Sequence, residues 1–263
     1  MRRPRVRRGA LLIGVATLLF VAVAVGVATA PATTRQGLNF TVSTHELPRY
    51  VKAWDFLDRH FHYQLLAREI THGLRTDEDR VLAVYRWTRD HIRPTPPDWP
   101  IVDDHILHII IRGHGVGDQV ADVFATLSTY AGVPACWVVA KPKGSPHEHV
   151  VSLARVDGRW VVIDVARGFV FRDRQGRLAA LEELVDDPAL VQAVAGDLRP
   201  GGIPYREYLA GIPPSAISSP LRAELQMPGP RVWYEIRKRA GLTRNDPEAQ
   251  RRTATAVPRP DSG

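Results

Sequence analysis

The chain has one cysteine, Cys136, in 263 residues. A lone thiol excludes an internal disulfide and the paired-cysteine metal sites. No His-Glu-x-x-His run is present, so the helix-borne zinc motif is missing as well, and no motif asks for a cofactor. No compact stripe interleaves basic and aromatic residues, which excludes nucleic acid as a partner. No internal repeat is evident. Charge is absent from Gly9 to Ala30, a run of 22 residues directly after Arg2, Arg3, Arg5, Arg7 and Arg8.

Those five arginines account for most of the formal charge of +7, leaving +2 for the rest. As a helix the uncharged run spans about 33 Å, enough for a hydrocarbon core. Its basic flank belongs on the cytoplasmic side, which sends the following chain outward. Ala28-Thr29-Ala30 is shaped like a cleavage site, but the apolar run is longer than a signal core and Pro31 follows it directly. Residues 1–30 therefore read as an uncleaved signal anchor ahead of a cleaved signal peptide, which would leave a secreted chain. The membrane is the partner expected of this segment.

With 44% hydrophobic residues, the remainder can build a core without disulfides. Residues 31–46 read as a polar linker. From Leu47 to Ile70, Tyr50, Trp54, Leu57, Phe61 and Leu65 recur at steps of three and four, the mark of an amphipathic helix. Thr76 to Asp79 offers a capping box for a second helix whose face runs through Val81, Val84, Tyr85, Thr88 and Ile92. Val120, Phe124, Leu127 and Ala131 mark a third, with apolar neighbours on nearly every turn, and so central and buried. Cys136 to Ala140, His149 to Val156 and Trp160 to Val165 read as strands, the last two joined by an Asp157-Gly158 turn. Phe169 to Phe171 adds a short strand, and Leu178 to Ala195 a helix broken near Pro188. The main domain is placed at residues 47–196. Residues 197–242 read as an irregular extension over the surface with one short basic helix, and 243–263 as a disordered tail. Helices followed by an antiparallel meander make an α+β plan.

If Val156 and Arg159 flank the two-residue turn, His149 lies opposite Ala166, and Asp164 is a diagonal neighbour of His149 on the same face. Diagonal pairs are about 7–8 Å apart, within reach of an imidazole–carboxylate hydrogen bond. Val151, Leu153, Trp160 and Val162 share that face, so the pair is expected to point inward against the central helix. A carboxylate on one ring nitrogen sets the tautomer and leaves the other nitrogen as a base. A metal reading uses His147, His149 and Asp164, supplemented by His105 or His108.

Ahead of the central helix stands Arg112-Gly113-His114-Gly115-Val116-Gly117-Asp118-Gln119, and after it Gly132-Val133-Pro134-Ala135. This layout, with His149 eleven residues before Trp160 and Asp164 four after it, resembles the transglutaminase-like superfamily over about Thr76 to Asp187. The resemblance implies a transglutaminase-like, papain-like core in which a central buried helix packs on an antiparallel sheet. It implies a Cys nucleophile at position 117 with His149 and Asp164 completing a triad. Here position 117 is glycine, which attacks nothing, although glycine is also simply acceptable beside a helix N-cap. Asp118 projects in another direction, and Cys136 lies past the far end of the helix, about 20 Å away. The chain is similar to members associated with bacterial polysaccharide biosynthesis. The expected function is that of a membrane-anchored, extracytoplasmic pseudoenzyme that binds or scaffolds, with a peptide or glycan ligand in the cleft. The alternative is an active hydrolase or acyl-transfer enzyme with a noncanonical nucleophile or a metal at His147, His149 and Asp164.

Overall fold

The computed structural model describes residues 5–103, 105–213, 216–217 and 221–242. The segment expected as a disordered tail lies outside them. Helix α1 (Arg5–Thr29) contains Leu12–Thr29, with mean hydropathy 2.5 and no residue buried, long and apolar enough to cross a membrane.

Where a linker was expected, β1 (Pro31–Leu38) and β2 (Thr41–Pro48) form a hairpin. Asn39 and Phe40 both take positive φ, 46° and 65°, as a two-residue turn matching strand twist requires. The hairpin escapes sequence reading because Asn-Phe replaces the usual Asn-Gly and both faces are largely exposed, so no alternation marks it. Its tip is held where Gly37 and Leu38 pair with β4 (Val102–Asp103).

Helix α2 (Arg49–Ile70) forms as expected, but turned about its axis. The residues it buries are Arg59, Tyr63 and Ala67, with Leu66 and Ile70 packed against the core beside them. Tyr50, Trp54, Leu57, Phe61 and Leu65 face outward. The helix carries two apolar stripes, and periodicity alone does not say which one the domain covers. Helix α3 (Asp77–His91) starts at Thr76, whose hydroxyl accepts from Asp79 N at 3.1 Å, and buries Val81, Val84 and Thr88.

Strand β3 (Arg93–Pro94) pairs in parallel with β5 (His114–Gly115), and α4 (Ile106–Arg112) lies between them in the chain. Helix α5 (Gly117–Tyr130) is the central helix, buried from Gln119 to Thr129. Beyond it, β6 (Ala135–Ala140), β7 (His149–Val156), β8 (Arg159–Asp164) and β9 (Phe169–Val170) form an antiparallel sheet in that order. The β7–β8 register pairs Val156 with Arg159 and Ser152 with Ile163, as the Asp157-Gly158 turn dictates.

The two faces of this sheet serve two cores. Ala154, Val156, Val161 and Ile163 pack on α5, with Phe124 and Leu127 at the centre. Val151, Leu153 and Val162 face the other way, onto α6 (Leu181–Asp186), α7 (Pro188–Ala195) and α8 (Tyr205–Ala210). Residues 198–212, in the stretch 197–242 read as an irregular wrapping, therefore cover one face of the sheet: Tyr205, Tyr208 and Leu209 are all buried. Further on, Leu225 is buried, Tyr130 Oη donates to the Gln226 carbonyl at 2.8 Å, and Arg222 meets the buried Asp122 of α5 at 2.7 Å. Trp137 Nε1 donates to the other Asp122 oxygen at 2.7 Å. Helix α9 (Pro228–Arg239) ends the described chain, with Tyr234 buried.

Candidate functional site

The glycines of the motif before α5 have separable reasons. Gly113 ends α4 in the left-handed region, φ 70°, where other residues are strained. Gly115 is tightly enclosed, since a Cβ there would stand 3.1 Å from Gln119 and 3.3 Å from Ile109, and both would have to give way. Gln119 is the lock at this helix start. Its side-chain oxygen accepts from Val116 N at 3.2 Å and Arg112 Nη2 at 2.9 Å, and its Nε2 donates to the Val102 carbonyl at 2.7 Å.

Gly117 has no such reason. The N-cap is Val116, so Gly117 is the first helical residue, and its φ is not in the left-handed region. A Cβ there would meet only Ala166 Cβ, at an ordinary 3.8 Å. The backbone thus accepts a side chain at the position where the sequence pattern calls for a nucleophile.

His149 opens β7 and Asp164 closes β8, which places both at one end of the sheet. His149 Nε2 and Asp164 Oδ2 are 2.5 Å apart. A carboxylate only accepts, so Nε2 is the donor in this contact, and in the neutral ring it is Nδ1 that carries the lone pair. The diagonal pairing read from the hairpin arithmetic is present in the geometry. Its orientation is corrected: the pair shares a face with Val151, Leu153 and Val162, the side covered by α6 to α8, and not the side packed on α5. Alternation decides this, because Ile163 and Val161 take the α5 side and leave Asp164 and Val162 on the other.

Tyr205 Oη, on α8, donates to the same Asp164 oxygen at 2.7 Å, and Arg167 N donates to the other at 2.9 Å. Both Asp164 oxygens are thus hydrogen-bonded although the residue is only 1% exposed, as a buried polar group requires. Burial, reinforced by the neighbouring Asp164 charge, raises the Tyr205 phenol far above its ordinary value, so it stays a donor. Tyr205 and Tyr208 pack edge-on against the His149 ring, with centroids 5.6 and 5.9 Å away. The turn after Asp164 is clamped from α3: Tyr85 Oη donates to the Gly168 carbonyl at 2.7 Å and Arg89 to the Ala166 carbonyl at 3.0 Å.

Sequence reading missed Tyr205 and Tyr208. The available signal was their spacing of three, with Leu209, between Pro204 and Gly211, a one-face helical pattern in a stretch otherwise dominated by proline and glycine. Of the residues of the metal reading, His149 and Asp164 meet, and the others have different neighbours. His147 packs its ring against Gly201, and His105 lies 3.8 Å from Asp55 with its ring tilted against that of His108, centroids 5.9 Å apart. Among the described residues no group of three or more His, Cys, Asp or Glu is placed to hold a metal ion. Cys136 pairs with Leu153 on β6–β7, four positions from Ala140, the partner of His149, hence about 13 Å along the sheet. Burial pushes its thiol up to about 12, so it is neither near the dyad nor ionised.

Residues 64–165 match the family model of the transglutaminase-like superfamily. The region holding α3, α5, His149 and Asp164 is thus a transglutaminase-like domain, and the α+β architecture is of that class. Three solved structures resemble the chain. One is described as a candidate protease from Parabacteroides distasonis, at 13% identity over 39% of this chain and 23% of that one, TM-score 0.33. A candidate cysteine protease from Cytophaga hutchinsonii shows 19% identity over 44% and 40%, TM-score 0.35. A TGase shows 15% identity over 57% and 48%, TM-score 0.33. The chain spans less than half the length of each. A search among curated proteins found no match.

Proposed function

We propose that this chain is a membrane-anchored, extracytoplasmic transglutaminase-like protein that binds its ligand without turning it over by thiol chemistry. Gly117 carries the reading: it stands at the first position of α5, beside Ala166, with nothing in its backbone or packing that requires glycine. Acyl transfer by this scaffold needs an atom that attacks, and position 117 supplies none. The His149 ring, oriented by Asp164 and packed by Tyr205 and Tyr208, serves in this reading as a preorganised acceptor for a peptide or glycan in the cleft. Envelope polysaccharide assembly is the setting we infer, on the similarity to members associated with polysaccharide biosynthesis. The Leu12–Thr29 helix, with arginines on its amino-terminal side, supports the anchor and its orientation.

The test restores the missing atom. Gly117→Cys, treated with a thiol-reactive probe, is expected to label at least about tenfold faster with His149 present than in a His149→Ala background, as a base-activated thiol does. Equal labelling in both backgrounds means that His149 does not serve position 117, and the pseudoenzyme reading of this site falls. Turnover of amide or ester substrates by the wild-type protein, lost in His149→Ala, supports instead an enzyme with a noncanonical nucleophile.

A further inference from the structure

The outward stripe of α2 is not explained by the domain. Tyr50, Trp54, Leu57, Phe61 and Leu65 form one continuous face about 22 Å long, with Trp54 76% and Leu65 63% exposed. Three aromatic rings and two leucines in a row exceed the scattered apolar residues that a soluble surface normally carries. The opposite face of the same helix is already committed to the core through Tyr63, Leu66 and Ala67.

What lies nearby identifies the cover. The β1–β2 hairpin closes on itself, pairing Pro31 with Pro48, and Arg49 N donates to the Ala30 carbonyl at 3.0 Å. Helix α2 therefore begins beside the residue at which α1 ends, and the two helices touch. Lys52 Nζ donates to the Thr33 carbonyl at 2.6 Å, fixing the first turn of α2 to the hairpin base. The stripe starts with Tyr50 and Trp54, the residue types that settle at the head-group level where a span leaves the bilayer. A second helix shows the same chemistry. On α9, Val232, Trp233 and Ile236 are exposed, and Arg237, Lys238 and Arg239 follow in its last turn. The turn leading into α9 is bound to Tyr130, whose ring lies 5.5 Å from His60 of α2. Apolar residues rimmed by cations suit an anionic lipid surface.

We propose that the outward stripe of α2 lies along the outer surface of the membrane, at the boundary of head groups and acyl chains, with α9 as a second, cationic contact. The proposal rests on the reading of α1 as an anchor, and it goes beyond that reading. The domain then lies against the bilayer on a defined side, where a tether alone would leave it free to turn. Docking of α2 limits the orientations in which the His149 end of the sheet meets its ligand.

The full chain is placed in vesicles of phosphatidylcholine and phosphatidylglycerol, with single fluorescent labels at Phe61→Cys, Leu65→Cys or, as a control in an exposed loop, Lys143→Cys. Each variant carries Cys136→Ser, so that the introduced thiol is the one labelled. Labels at 61 and 65 are expected to be quenched at least about twofold by brominated phosphatidylcholine and shielded from iodide, with the reverse at 143. Free access of iodide to positions 61 and 65 overturns the proposal. So does shielding from iodide without quenching by brominated lipid, which assigns the stripe to a second copy or another protein. Flotation of the chain with vesicles at alkaline pH reports separately on α1. Loss of flotation with quenching retained removes the anchor and leaves α2 adsorbed by itself, and loss of both removes the proposal.

Discussion

Phe61 and Tyr63 are aromatic residues two positions apart on α2 with opposite fates. Tyr63 is 1% exposed, packs edge-on against Tyr130 and accepts from Leu107 N at 2.9 Å. Phe61 is 56% exposed, one link in a stripe that the domain leaves uncovered. Each belongs to a run with helical spacing, so each run by itself predicts a buried face. The difference shows that apolar periodicity reports the need for a cover and not its identity. Inside the domain the cover is α4 and α5, and outside it is the surface we assign to lipid.

The comparison breaks most readily at the buried side. Tyr63→Ala is expected to cost about 3–5 kcal/mol in chemical denaturation, the range for removing a buried aromatic ring. A loss below about 1 kcal/mol would mean that α2 is not docked as described. Next comes Tyr205→Phe, which keeps the ring and removes one donor to a buried carboxylate. A hydrogen bond to a charged group implies a loss of about 1.5–3 kcal/mol in the same assay.

A pH measurement sharpens the contrast further. Burial lowers the pKa of His60 from 6.5, so the unfolded chain binds the proton more readily than the folded one. The sign follows: stability is full above pH 6.5 and declines as pH falls through the lowered folded value. His60→Gln is expected to flatten that part of the denaturation-versus-pH curve. The smallest effect belongs to the outward stripe. Phe61→Ala in detergent-solubilised protein should change stability by no more than about 0.5 kcal/mol, and a loss as large as that of Tyr63→Ala would place Phe61 in the core.

Much of the frame was legible. The apolar amino-terminal helix, the Thr76 cap, the central helix and the β7–β8 register were readable because each depends on neighbours in sequence. Asp157-Gly158 selects a two-residue turn, and its φ values of 49° and 80° are those of the favoured hairpin type. That turn sets the register, and the register brings His149 to Asp164. The β1–β2 hairpin was hidden because Asn39-Phe40 lacks the glycine that advertises such a turn, and its exposed strands carry no alternation. Tyr205 was hidden for a different reason: it reaches Asp164 from 41 residues away through a helix flanked by proline and glycine.

The sequence by itself determined the anchor-like helix, the hairpin that pairs an imidazole with a carboxylate, and the glycine at the position where the family resemblance implies a thiol. These follow from local chain geometry and residue identity. Tertiary structure alone decided that the His149–Asp164 pair faces the carboxy-terminal helices, that Tyr205 completes it, and that α2 turns Tyr63 inward and Phe61 outward. Those choices depend on which surfaces meet across the fold, and the packing of distant elements sets them.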